Sequence, residues 1–106
     1  MYNMPILVAF HKSPKKNKRY RIVLKNPDKI IDFGLDTAST YIDHGDKRKR
    51  SAYLKRHQKN EDWNTPNPGS AAAFVLWGFD TDIKKNLETY LQEMGGEIAD
   101  GAKISI

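Results

Sequence analysis

The pattern of apolar and polar positions changes character along the chain, and each change marks an element. Pro5 to Phe10, PILVAF, is a short unbroken apolar run and reads as a buried strand. A basic loop, HKSPKKNKR, follows, with Pro14 as a breaker. Tyr20 to Lys25, YRIVLK, alternates in part and is β-branched, so a second strand is expected there. NPDK supplies turn chemistry, and IIDFG reads as the returning strand of an antiparallel hairpin that the first strand extends to three.

Beyond Gly34 the period becomes helical. Asp43 or Asp46 is placed to cap a helix from Lys47 to Gln58. Within it Arg50, Tyr53, Leu54 and His57 share one face, because residues three and four apart are neighbours on a helix. That stripe is thin, so docking or a partner must hold the helix. NTPNPG interrupts the chain, and Ser70 opens AAAFVLWGF, apolar nearly all round and therefore a buried helix. Asp80 or Thr81 is expected to cap a last helix carrying Ile83, Leu87, Tyr90, Leu91 and Met94 in a continuous stripe, with Gly95 as its stop. AKISI alternates like an edge strand.

The pattern predicts one α+β domain over residues 1–106: a small antiparallel sheet, hairpin or three-stranded, packed by two to three helices. A basic sheet-rich part (1–40) precedes a helical part (41–95) and a short tail (96–106). The expected core is Val23, Ile31, Phe33, Leu54, Trp63, Phe74, Trp77, Leu87 and Leu91.

Charge sharpens this picture. The net charge is +5, but residues 1–63 hold fifteen Lys and Arg against seven Asp and Glu, and residues 64–106 hold three against six. A basic front and an acidic rear point to a partner for the basic face: nucleic acid, an acidic protein surface or another copy's acidic end. Mean hydropathy is −0.71, and no apolar run approaches the roughly 20 residues needed to span a bilayer. The opening MYNMPILVAFHK lacks the basic region and cleavage site of a signal peptide, so none is expected. With no cysteine there is no disulfide framework and no thiolate metal site.

The stretch from Tyr41 to Trp63 concentrates seven Lys and Arg residues with His44 and His57. A metal site would need close ligand pairs, which the histidines do not form, and the cations around them would oppose it. Acid–base catalysis by His44 beside Asp43, or His57 near Glu61 and Asp62, would need a nucleophile or phosphate loop that the sequence does not offer. Neither metal, cofactor nor enzymatic activity is expected. Polyanion binding is the stronger candidate. Lys15, Lys16, Lys18 and Arg19 form one patch beside Tyr20, and Lys47, Arg48, Lys49, Arg50, Lys55 and Arg56 form a second beside Tyr53. Tyr41, His44, Tyr53, His57, Trp63 and Trp77 are expected to act as a structural clamp, joined by Arg48, while Lys47, Lys49, Arg50, Lys55 and Arg56 reach outward.

The order Tyr41, His44, Asp46, Arg48, Lys49, Tyr53, Arg56, His57, Glu61, Trp63, Leu76, Trp77 resembles a family of short, largely uncharacterised proteins of nucleocytoplasmic large DNA viruses (phycodnavirus- and mimivirus-like). The resemblance spans about residues 20–94. Gly45 stands where that pattern has a basic residue, Ile42 replaces a small polar one, and Phe74 lies within an alanine run. The resemblance implies a virion component of a large icosahedral double-stranded DNA virus. It would be a non-enzymatic minor capsid protein at the inner side of the shell, bridging major and other minor capsid proteins through its basic surface. The alternative is a virion nucleic-acid-binding protein for DNA packaging.

Overall fold

The computed structural model describes residues 4–106. Four strands form one sheet: β1 (Ile6–Lys12), β2 (Lys18–Lys25), β3 (Lys29–Leu35) and β4 (Glu97–Ile104), in the order β3-β2-β1-β4. β1, β2 and β3 are antiparallel neighbours as expected. The sheet is nevertheless mixed rather than wholly antiparallel, because β4 pairs parallel with β1 and adds a fourth strand. The chain reaches β4 through helices lying over one face: α1 (Tyr41–His44), α2 (Lys47–Gln58), α3 (Pro68–Ala71) and α4 (Ile83–Glu93). A π-helical turn, Ala72–Leu76, continues α3.

The unbroken apolar run of β1 could not reveal which face each residue takes. Leu7 and Phe10 both point into the core although they lie three apart, an odd separation that should put them on opposite faces. A bulge between Leu7 and Ala9 inserts one residue and corrects the register, so that Leu7 meets Leu24 and Phe10 meets Ile22. In the parallel ladder the shift is larger: Leu7 lies opposite Ile98, whereas Ala9 lies opposite Lys103.

One face of the sheet is covered. Leu7, Phe10, Tyr20, Ile22, Leu24, Ile31 and Phe33 pack against Ala71, Val75, Leu76, Ile83, Leu87, Tyr90 and Leu91. Full burial of such side chains contributes about 1.5–3 kcal/mol each, so this layer holds the domain. The other face carries a row of Ala9, Val23 and Ile30 beside a row of His11, Arg21 and Asp32. Ile30 there is 57% exposed.

Of the expected core, Ile31, Phe33, Leu87 and Leu91 are buried. Val23 is only half-buried because it points to the uncovered sheet face. Leu54, Trp63, Phe74 and Trp77 are also half-buried, with Phe74 and Trp77 packed against the margin of the core. The last helix starts one or two residues later than its expected caps: Asp82 is the N-cap and accepts from the N–H groups of Lys84 and Lys85. Asp80 instead receives the N–H of Asp82. No helix among the described residues is long and apolar enough to cross a membrane.

Candidate functional site

α2 is built from its ends and sides because its interior face is too thin to bury. Asp46 accepts the N–H groups of Arg48 and Lys49, satisfying two of the donors left free in the first turn. Just before it, Gly45 ends α1 at φ 64°, a left-handed conformation that glycine adopts without strain. This turn lets the short α1 and the long α2 meet at an angle. α2 itself buries no residue.

Aromatic stacking holds it. Tyr53 lies parallel to Trp77, ring centres 4.3 Å apart and planes 6° apart, and His57 stacks on Tyr53 at 4.0 Å. His44 stands edge-on to Trp77 at 5.4 Å and to Tyr41 at 6.3 Å. At the other end His57 Nδ1 is 2.8 Å from Glu61 Oε2, and Trp63 Nε1 donates to Glu61 Oε1 at 2.9 Å. A carboxylate oxygen only accepts, so His57 carries its proton on Nδ1 and leaves Nε2 free of Glu61. All six expected clamp residues therefore lie in one continuous chain of contacts, with Glu61 as the link to Trp63. Burial, followed by the nearby charge of Glu61, pushes the Tyr53 hydroxyl up to about 12.

Trp77 reaches this column because of the π turn. Its N–H donates to Ala72 O, one residue further back than in an α-helix, which shifts the following side chains around the axis. The irregular end is repaired by buried Asn86, whose Nδ2 donates to Val75 O at 3.0 Å and to Asp80 O at 2.7 Å. Asn86 carried no sequence signal, since an amide on a helix beside an apolar stripe looks like an ordinary surface residue.

The cations divide into two groups. Arg50, expected to reach outward, turns inward. Its Nε donates to Trp77 O at 3.0 Å and Gly78 O at 2.8 Å, and its guanidinium lies 5.7 Å from the Tyr41 ring centre and 5.6 Å from that of Phe79. Two carbonyls left by the end of the π turn make that position more favourable than water. Arg19 is likewise engaged within the chain, donating to both oxygens of Asp43 at 2.7 and 2.6 Å and to Thr40 Oγ1 at 3.2 Å. The Arg19 hydrogen bonds, with help from the Thr40 N–H and hydroxyl, hold the Asp43 carboxyl well below the usual range. Lys15 lies 3.9 Å from Asp32. Arg48, expected to join the clamp, gives only its backbone N–H, to Asp46, and its side chain is exposed.

Lys47, Arg48, Lys49, Lys55, Arg56 and Lys59 remain exposed, and among the described residues none has a carboxylate within ion-pair distance. Arg48, Ala52, Lys55 and Lys59 follow one another at steps of four, three and four, along the side opposite Arg50, Leu54 and His57. That side runs roughly 16 Å from Arg48 to Lys59.

Beside α2 a cleft of about 570 Å³ opens against the end of β3, lined by Lys18, Leu35, Tyr53, Arg56, His57 and Trp77 among others. Leu35 is 60% exposed at its edge and was not singled out by the sequence. Gly34 in the cleft wall has φ 78°, and a Cβ there would come within 2.8 Å of Leu76. Lys18 also borders the hollow formed by Lys12, Lys15 and Lys16, so the loop cations and those of α2 meet at this cleft. His44 accepts the Asp46 N–H at Nδ1, while its Nε2 is buried without a hydrogen-bond partner. Among the described residues no three His, Asp or Glu side chains gather into a cation site.

Residues 8–57 are similar to a family of unknown function (DUF5754). The matched span runs from β1 to the last turn of α2, and so contains Tyr41, His44, Tyr53 and His57 but neither Glu61 nor Trp77. No curated protein and no solved structure matches the chain.

Proposed function

We propose that this chain is a non-enzymatic binding module that engages a nucleic-acid backbone through the outer face of α2. The observation that carries this reading is the unequal supply of counter-charges. The acidic groups around α2 are engaged within the chain: Asp43 by Arg19, Asp46 by the first turn of the helix, Glu61 by His57 and Trp63. Among the described residues the six outward cations have no carboxylate within ion-pair distance. Such a surface neutralises phosphates at little desolvation penalty, and small Ser51 and Ala52 near the middle of the helix let a backbone approach closely.

The imidazoles support a binding role rather than a catalytic one. The His57 Nδ1 proton is committed to Glu61, and His44 Nδ1 accepts a backbone N–H. Neither has a nucleophilic side chain as its hydrogen-bond partner.

A second reading, a minor shell protein of a virus particle, is favoured by a different observation. Among the described residues the sheet face of Ala9, Val23 and Ile30 is uncovered and β4 pairs only with β1, so both offer surface to adjacent protein chains. Nucleic-acid binding measured by fluorescence anisotropy over a range of salt separates the two. The first reading expects saturable binding whose logarithm falls linearly with log salt, and at least tenfold weakening in Arg48→Glu/Lys55→Glu. Weak, non-saturating binding that ignores this double reversal, with co-sedimentation with shell proteins after nuclease treatment, would favour the second.

A further inference from the structure

Resting on the polyanion reading, we propose that the cleft beside α2 receives an unpaired nucleotide, so that the protein prefers single-stranded nucleic acid to duplex. The cleft combines features that a duplex backbone does not need. Leu35, Ala38, Ala72 and Leu76 give it an apolar lining, and exposed Leu35 extends that lining to the mouth. The cationic side chains of Lys18 and Arg56 enter its wall from different elements, β2 and α2, and among the described residues neither has a carboxylate within ion-pair distance.

A flat heterocycle carrying a phosphate fits this chemistry. Its base covers the apolar lining, and its phosphate lies by the cations. The space of about 570 Å³ is within the range that small-molecule sites occupy. Glu61 also lines the cleft, but both its oxygens are occupied, one by His57 and one by Trp63. Those two contacts fix the imidazole with its proton on Nδ1, so His57 Nε2 remains an acceptor for a ligand N–H or hydroxyl. A base paired inside a duplex cannot enter such a cleft, whereas an unstacked base can, and base contacts of this kind are sequence-tolerant.

The experiment compares a short oligothymidylate with a duplex of the same length, on the full chain at one salt concentration. The native protein should bind the single strand about tenfold more tightly, the scale of one well-covered base. Leu35→Asn, at an exposed position, should remove most of that preference while leaving duplex affinity within about twofold. Lys18→Gln should weaken the single strand more than the duplex, and circular dichroism should be native for both variants. Equal native affinity for the two polymers overturns the cleft proposal and leaves the α2 reading intact. So does native-like single-strand binding in both variants, or a parallel loss of both polymers. Binding of neither polymer by the native protein removes both proposals.

Discussion

α2 and α4 are nearly the same length, twelve and eleven residues, and begin in the same way, with an aspartate accepting two backbone N–H groups. Their interiors separate them. α4 buries Ile83, Leu87, Tyr90 and Leu91 in the core and Asn86 beside the π turn, whereas no residue of α2 is buried. One helix is held by apolar area, the other by stacked rings, an inward arginine and its cap. A cap thus sets where a helix starts, and the stripe behind it decides whether the helix belongs to the core or lies on the surface. Phe79, 74% exposed, lies against Arg50 at the margin of the inward side.

The contrast is most easily broken by truncation. Leu87→Ala should lower the free energy of unfolding by about 3 kcal/mol, read from urea midpoints, because a fully buried leucine leaves a cavity. Leu54→Ala in α2 should lose less than about 1.5 kcal/mol, since that side chain is half solvated already. Equal losses would mean that α2 is a core helix after all.

Removing what holds α2 should have an intermediate effect. Arg50→Met leaves the Trp77 and Gly78 carbonyls without their side-chain donor and should lower stability by about 1–3 kcal/mol. Tyr53→Leu, which interrupts the stack between Trp77 and His57, should lose about 1 kcal/mol beyond its area. In both, amide exchange should rise in α2 while α4 keeps its protection; a uniform rise would contradict separate modes of cohesion.

Asp46→Ala and Asp82→Ala should each lose about 1 kcal/mol, because the caps are alike. The two losses differ in where they appear. Local exchange should rise in α2 for the first, and global stability should fall for the second.

The smallest effect is pH-dependent and lies on the uncovered sheet face, far from either helix in character. Hydrogen bonds from Arg21, aided by the Ser13 hydroxyl, hold the Asp32 carboxyl at about 2. A folded value below the unfolded one, about 3.9, gives stability that is complete above about pH 5 and lost as pH falls toward 2. Asp32→Asn should flatten the acid limb of the stability profile over that interval, by no more than about 1 kcal/mol given solvent screening. An unchanged acid limb would show that this pair does not contribute.

Elements whose signal is local are legible in the order of residues alone. Alternation and turn residues located β2 and β3, the stripe from Ile83 to Met94 located α4, and the run of cations around Tyr53 and His57 located the surface α2 presents. Residues three and four apart must share a helix face, so the grouping of Tyr53, Leu54 and His57 on one side of α2 was legible before any fold was known. Arg50, on the same side, was expected to reach outward and turns inward instead. How distant pieces meet depends on contacts made across the fold. The bulge that turns both Leu7 and Phe10 inward, and the parallel docking of β4 beside β1, depend on partners far away in the chain. The π turn that swings Trp77 onto Tyr53 is possible because Asn86, ten residues beyond Leu76, satisfies the carbonyls it frees. Arg50 completes its hydrogen bonds on carbonyls twenty-seven and twenty-eight positions away. Periodicity reports which side of an element is apolar, whereas a polar group's partner is chosen by the unsatisfied donors and acceptors that folding brings beside it.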